Sequence, residues 1–191
     1  MKYSVLFLAL LLIWACQSTP EKQGAPAAVS QIGKAISDSL LKTLGGNLSR
    51  AVQDSGFSGA LKFCNIEAMP LTRQVVAENA AVGEVKRVSE KWRNPANQPD
   101  ENDLAALNHF TTLAANGEAL PAEFVQELGS GQYRYYRPLK VAALCLNCHG
   151  DPAHLAEGVG EQLQALYPED KALGYEEGDF RGLVRVSVKM P

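Results

Sequence analysis

The chain has 191 residues, of which 46% are hydrophobic and 20% are charged, a composition typical of a globular domain. Its formal net charge is −3, and lysine and arginine form no extended cluster, so nucleic-acid binding has no electrostatic support. The size fits one domain and excludes a largely disordered chain.

The N-terminal residues have the pattern of an export signal. Lys2 precedes an apolar run over residues 5–15 that is too short to span a bilayer comfortably. The segment Ile13-Trp14-Ala15-Cys16 resembles the lipobox of bacterial lipoproteins, in which Cys16 carries the lipid. An ordinary signal peptide is the alternative, and cleavage after it would leave Cys16 as a free thiol. The pattern favours a lipid anchor at Cys16 on the periplasmic side of a bacterial membrane.

Composition then divides the chain into three parts. We expect a signal peptide over residues 1–15, a flexible tether over 16–31 that is rich in Pro, Gly, Ser and Gln, and a folded domain over 32–191.

The first half of the domain is predicted to be helical. Apolar residues recur every four positions from Ile32 to Val52 and predict a helix over 30–54. A Gly- and Ser-rich break over 55–59 separates it from a second helix over 60–79, which contains Cys64.

The second half is predicted to contain most of the strands. A short strand over 83–89 precedes a helix that begins near Leu104 and ends at Asn116-Gly117. The remaining predicted elements are strands over 122–128 and 132–141 joined as a hairpin, a helix over 157–166 and a strand over 180–189. In the last strand Val184, Val186 and Val188 alternate with Arg185, Ser187 and Lys189. Helices followed by hairpin-joined strands predict an α+β domain with an antiparallel sheet.

The cysteines do not form the pattern of a disulfide framework. Cys145-Leu146-Asn147-Cys148-His149 has the spacing typical of covalent attachment of c-type haem, with two thiols for the thioethers and the histidine as an iron ligand. A thioredoxin-like thiol pair is the alternative, but it usually opens a helix in a βαβ unit and needs no histidine behind it. A zinc site lacks a clear set of four ligands.

The second axial ligand is open on sequence grounds. The candidates are Cys64, Met69, His109, His154 and Met190. His154 is too close to His149 to reach the far face of a haem, and Met190 lies at the terminus. Cys64 and His109 remain level, and a buried structural cysteine is the common fate of a lone thiol.

Four segments together resemble a bacterial family of single c-type haem domains, the Tll-like haem domains, over residues 32–189. These segments are Phe63-Cys64-Asn65-Ile66, the run from Trp92 to Asn97, the run from Cys145 to Pro152, and Gly174-Tyr175 with the run from Glu177 to Gly182. The resemblance implies a PAS-like α+β fold with long N-terminal helices, one covalent haem c, and iron ligation by His149 and Cys64.

This resemblance also frames the expected function. Together with the export signal, it predicts a membrane-anchored periplasmic monohaem cytochrome that acts in electron transfer or in redox or gas sensing. Catalytic activity is not expected, because the sequence offers no pairing of base and nucleophile. Its partner would be a redox or signalling protein, and a small gas could bind the reduced iron. Haem propionates need cationic or amide donors, for which Arg93, Asn94 and Asn97 are the candidates, with Arg137 and Arg181 as alternatives.

Overall fold

The computed structural model describes residues 25–191 as an antiparallel sheet flanked by helices. The predicted signal peptide and Cys16 lie outside the described residues. The elements in chain order are α1 (Ala25–Val76), β1 (Val82–Val88), α2 (Glu101–Ala115), β2 (Phe124–Gly129), β3 (Gln132–Lys140), α3 (Leu146–His149), α4 (Val159–Leu166) and β4 (Phe180–Lys189). The predicted α+β class is confirmed. No helix within residues 25–191 is long and apolar enough to cross a membrane.

The span of α1 contains the two helices that the sequence predicts, which meet at a kink. The predicted break between them lies at Gly56, whose φ of 65° and ψ of −178° are non-helical and lie in a region that glycine adopts readily. The helix also begins earlier than expected, since Pro26 fits a first helical turn, where a missing N–H breaks no hydrogen bond. Residues 26–31 are therefore not tether, and Val29 is fully buried.

The four strands are arranged in the order β1-β4-β3-β2, and every neighbouring pair is antiparallel. The hairpin between β2 and β3 turns through Gly129, Ser130 and Gly131, which all have positive φ. Two glycines in three positions make this turn accessible, as the sequence predicts. β4 spans the predicted residues and occupies the centre of the sheet, so the C-terminal strand is fully paired.

The two faces of the sheet carry separate cores. The first half of α1 packs its Ile36 and Leu40 against Tyr135 and Val186. On the opposite face α2 packs Phe110 against the strands with a group of buried neighbours: Val88, Leu107, Tyr136 and Leu183.

Arg185 is buried although it alternates with the core valines of β4. It lies on the face opposite to Val184 and Val186, as expected, but α2 covers that face, and only 1% of the arginine is exposed. Its guanidinium lies 3.4 Å from the carboxylate of Asp103, which is fully buried, and also pairs with Glu84. The strand is predicted correctly by the alternation, which does not by itself indicate that Arg185 is buried beside an acidic partner.

Candidate cofactor site

The Cys-x-x-Cys-His segment follows β3 and forms two short helical turns. A 3-10 turn over Ala143–Cys145 continues directly into α3. Cys145 and Cys148 are three residues apart on this stretch, so both thiols lie on one side of it. At Gly150 a Cβ would lie 2.7 Å from the Leu146 carbonyl oxygen, closer than real Cβ contacts. The small residue after the histidine thus allows α3 to end in a tight turn.

The imidazole of His149 is oriented by the backbone of residues 172–175. Its Nδ1 donates a hydrogen bond to the carbonyl oxygen of Ala172 at 2.8 Å. Because a carbonyl only accepts, Nδ1 carries the proton and Nε2 retains its lone pair. The same loop is fastened to α3, since the Gly174 amide donates to Gly150 at 2.9 Å and the Tyr175 amide donates to His149 at 3.1 Å. Such a backbone-anchored imidazole is the arrangement that metal-ligating histidines use.

The environment of His149 keeps the ring neutral. Burial, together with the positive charges of Arg93 and Arg181, lowers the pKa of His149 to about 3. A neutral ring with a free Nε2 is a metal donor throughout the physiological pH range.

A buried ion pair connects the loop of Ala172 to the segment after β1. The Arg93 Nε donates to the Asp170 carboxylate at 3.0 Å, and its Nη2 donates to the Cys148 carbonyl at 2.5 Å and to the Ala172 carbonyl at 3.4 Å. The second oxygen of Asp170 accepts from the Ala172 amide at 2.8 Å. Arg93 therefore braces both the cysteine motif and the carbonyl that orients His149.

A cavity of about 410 Å³ brings the predicted residues together. Cys145, Cys148 and His149 line it from α3 and the preceding turn, and Cys64 lines it from α1. The rest of the wall is mainly apolar and includes Leu41, Leu44, Leu48, Val52, Phe57, Leu61 and Trp92. This volume is within the roughly 300–1,000 Å³ of typical small-molecule and cofactor pockets.

Cys64 is half-buried in this cavity and forms no disulfide. Burial raises the pKa of its thiol, and the positive charges of Arg87 and Arg93 act in the opposite direction. The chain therefore places a sulfur donor and an imidazole donor on two different elements that line one cavity.

Of the other candidates for the second ligand, the structure brings only Met69 to the cavity. His109 is exposed on α2 and packs against Phe110 and Phe124. His154 is exposed and lies 3.0 Å from the Asp151 carboxylate, while Met190 packs against the core under α1.

The predicted propionate contacts separate into two groups. Arg93, Asn94 and Asn97 line the cavity, although Arg93 is engaged by Asp170, and the Asn94 side chain accepts from the Ala96 amide as a helix cap. Arg137 does not line the cavity and pairs instead with Asp38 on α1. The sequence could not separate these groups because the pairing of Arg137 depends on how α1 crosses β3.

Two cationic residues of the cavity carry weak or no sequence signals. Arg181 was only a secondary candidate, and Arg87 was not singled out, because an arginine in a short strand is expected to face solvent. Both line the cavity. The Ala172 carbonyl, which orients His149, had no sequence signal because any residue supplies a backbone carbonyl.

The donor set fits a haem better than a bare metal ion. Within residues 25–191 no group of three or more His, Cys, Asp or Glu side chains is arranged to hold an ion. The cavity instead combines an apolar wall, two thiols on one helical stretch and an imidazole with a free Nε2.

The fold and this cavity define a class: an α+β domain with a four-stranded antiparallel sheet and a Cys-x-x-Cys-His turn at a cationic, mainly apolar cavity. The chain belongs to the Tll0287-like family, whose model matches residues 17–189. It is also similar to the crystal structure of the cyanobacterial heme-protein Tll0287, with 27% identity and a TM-score of 0.61 over 87% of this chain and 97% of that one. No curated protein matches the chain significantly.

Proposed function

We propose that this protein is a haem-binding, cytochrome-like domain that exchanges single electrons with a partner protein. The observation that carries this proposal is the convergence of Cys145, Cys148 and His149 on one cavity, with His149 Nδ1 bonded to a backbone carbonyl. Membership of the Tll0287-like family, whose namesake is a haem protein, supports it. When bound, the haem supplies one-electron iron chemistry.

In this proposal each residue has a defined task. Cys145 and Cys148 provide the thioether sulfurs that make the attachment covalent, and His149 provides the proximal nitrogen. Ala172 and the loop behind it fix the ring plane of His149. The apolar wall excludes water and thereby strengthens the electrostatic interactions within the site.

We propose Cys64 as the second axial ligand. A cysteine thiolate donates electron density strongly and lowers the reduction potential of a haem. Met69, which lines the same cavity from the same helix, is the competing sulfur donor.

Electron exchange is favoured by the way the cavity meets the surface. Leu48 and Leu144 both line the cavity, and 37% and 54% of these side chains are exposed. Apolar side chains at a cavity mouth provide a contact surface for a redox partner. Redox or gas sensing is the second candidate, and it is motivated by a thiolate that would bind reduced iron less tightly and leave room for a small gas.

Covalent attachment is tested by coexpressing the chain with cytochrome c maturation proteins, followed by a haem stain after denaturing electrophoresis. We expect one stained band for the natural chain and no stain for a C145A/C148A variant. An unstained natural chain with normal expression would refute the proposal.

The ligand assignment is tested by the ferric spectra of C64A and M69L. We expect C64A to keep covalent haem and lose its low-spin thiolate features, while M69L keeps both. A C64A spectrum identical to that of the natural chain would contradict thiolate ligation by Cys64.

The choice between electron transfer and sensing depends on gas binding. A carrier should exchange electrons quickly and reversibly and bind neither carbon monoxide nor nitric oxide when reduced. Tight binding of either gas, with loss of the Cys64 ligand, would favour the sensor.

A thioredoxin-like function is the alternative from a different class. One observation opposes it: every strand pair within residues 25–191 is antiparallel, whereas a thioredoxin-like motif usually opens the helix of a parallel βαβ unit. Reduction of insulin disulfides by the haem-free chain at thioredoxin-like rates would revive this alternative.

The proposed location is the periplasmic side of a bacterial membrane, with a lipid on Cys16. The support is the apolar run over 5–15 and the lipobox-like segment. Palmitate labelling should mark the natural chain and not C16A, and label retained by C16A would refute the anchor.

A further inference from the structure

The cavity has an unbalanced charge. Its lining contains three arginines and one lysine, and neither an aspartate nor a glutamate. Lys140 is exposed and solvated, so the imbalance concerns Arg87, Arg93 and Arg181. Buried cations are costly unless an anion accompanies them.

Arg93 is the one arginine of the three with a carboxylate partner. Its Nε and Nη2 are used by Asp170 and by the carbonyl oxygens of Cys148 and Ala172. Its task is therefore to brace the motif, and its positive charge is already balanced.

Arg87 is half-buried at the end of β1 and makes no side-chain hydrogen bond or ion pair with any residue of 25–191. None of its nitrogens is sealed from solvent, because the one buried side-chain nitrogen without a partner in this range is the Nε of Arg185. Arg87 thus lines the cavity with a guanidinium that has no partner within residues 25–191. Burial lowers the pKa of its guanidinium, and the positive charge of Arg181 acts in the same direction.

Arg181 is anchored but is not neutralised. Its Nη1 donates to the Ser89 hydroxyl at 2.9 Å and to the Lys91 carbonyl at 3.1 Å, and both acceptors are uncharged. The guanidinium also lies over the ring of Tyr175, 5.2 Å from its centroid, and it pairs with no carboxylate within the described part of the chain. Two neutral acceptors fix the position of this guanidinium and leave one edge of it available.

We propose that Arg87 and Arg181 form a paired binding site for the two carboxylates of the tetrapyrrole, one guanidinium to each propionate. This inference rests on the proposed haem function, since a haem brings two carboxylates to a cavity with two unbalanced guanidinium groups. Arginine suits this task because its planar fork binds a carboxylate through two parallel hydrogen bonds. Arg137, by contrast, is paired with Asp38 outside the cavity.

The test uses the full-length chain with its haem attached. R87Q and R181Q are compared with R137Q, a matched control that removes an arginine from β3 without touching the cavity. Resonance Raman spectra report the propionate bending bands, which shift to lower frequency when a hydrogen bond to the carboxylate is lost. We expect a shift in R87Q and in R181Q, and none in R137Q.

A second measurement separates this role from a merely structural one. Removing a positive charge beside the haem stabilises the ferric form, so the reduction potential of both cavity variants should fall relative to that of R137Q. R87K and R181K keep the charge and lose the fork, so they should keep the potential near the natural value while the bending bands still shift.

The outcomes separate the two proposals. An unstained natural chain would refute the haem function itself. A stained natural chain whose propionate bands are unchanged in R87Q or in R181Q would overturn the paired site and leave the haem function intact. If a glutamine variant is produced without haem, the lysine variant at the same position is measured instead. Unchanged propionate bending bands in that lysine variant would also overturn the paired site. A change confined to the iron–thiolate features of R87Q, with fixed bending bands, would show that Arg87 serves Cys64 instead.

Discussion

The ion pair between Arg93 and Asp170 provides the sharpest test of how this site is held together. Exposed fractions are 12% for the Arg93 side chain and 6% for that of Asp170, so solvent screens the pair poorly. Asp170→Ala removes the acceptor of Arg93 Nε and also that of the Ala172 amide. It leaves a buried guanidinium without its counter-charge.

The expected cost follows from that uncompensated charge. Breaking a buried ion pair by removing one partner typically costs about 3–5 kcal/mol. For a chain of this size each kcal/mol lowers Tm by about 2–4 °C, so Tm should fall by about 6–20 °C. Asp170→Asn keeps an oxygen acceptor while losing the charge, and we expect its effect to lie between those of the natural chain and Asp170→Ala.

The assay is urea unfolding of the haem-loaded protein at pH 7, with the ferric spectrum recorded for the folded variants. Lys34→Ala is the control, since it breaks a surface pair with Asp38 whose side chains are 68% and 45% exposed. Such pairs contribute about 0–1 kcal/mol. Because Arg93 and Asp170 fix the carbonyl that orients His149, Asp170→Ala should also broaden the axial-ligand features. Equal destabilisation by Asp170→Ala and Lys34→Ala, with an unchanged spectrum, would refute the reasoning.

Three further predictions concern the fold. Gly33→Ala places a Cβ about 2.1 Å from Cγ of Tyr135, and we expect the overpacking to lower the free energy of unfolding by about 1–3 kcal/mol in spite of better helix propensity. Phe110 is fully buried, so Phe110→Ala should cost about 3–5 kcal/mol in the same urea assay, and a loss below about 1 kcal/mol would contradict the described core. Arg134 holds the pKa of Asp100 well below its ordinary value. The ionised Asp100 therefore stabilises the folded state above about pH 4, and this contribution to the free energy of unfolding is lost as pH falls towards the folded-state pKa. Asp100→Asn keeps a side chain that can cap the helix and removes the charge. The difference in free energy of unfolding between the natural chain and Asp100→Asn, measured from pH 7 downwards, should become smaller as the pH falls. A difference that does not depend on pH would contradict this linkage.

Sequence periodicity predicted the elements whose environment repeats regularly. The alternation of residues predicted β4 correctly, because a strand whose two faces differ in environment has a sequence that alternates with the same period. The glycines of Gly129–Gly131 predicted the hairpin turn correctly. The Gly- and Ser-rich break over 55–59 likewise predicted the non-helical backbone at Gly56, which separates the two helical parts of α1. The burial of Arg185 was missed because its partner Asp103 lies on α2, some eighty residues away.

Residues of the site that are close together in the sequence could be predicted, and those that only the fold brings together could not. Cys145, Cys148 and His149 form one short motif, whereas Cys64 stood out only through the family resemblance. Arg87 gave no usable signal, because its significance arises from the absence of a carboxylate in the cavity and not from its neighbours in β1.

The two proposed iron ligands are braced by a single stretch of chain. On the Cys64 side, α4 packs Leu163 and the following Tyr167 against Leu61 of α1. On the His149 side, the same stretch continues through Asp170, whose amide donates to the Tyr167 carbonyl at 2.9 Å, and on to the Ala172 carbonyl that holds the imidazole. Because neither ligand lies on the sheet, the distance between them depends on the packing of residues 159–175. A perturbation at Asp170 should therefore reach both axial positions, whereas an equally destabilising change under α2 should leave the site geometry unchanged.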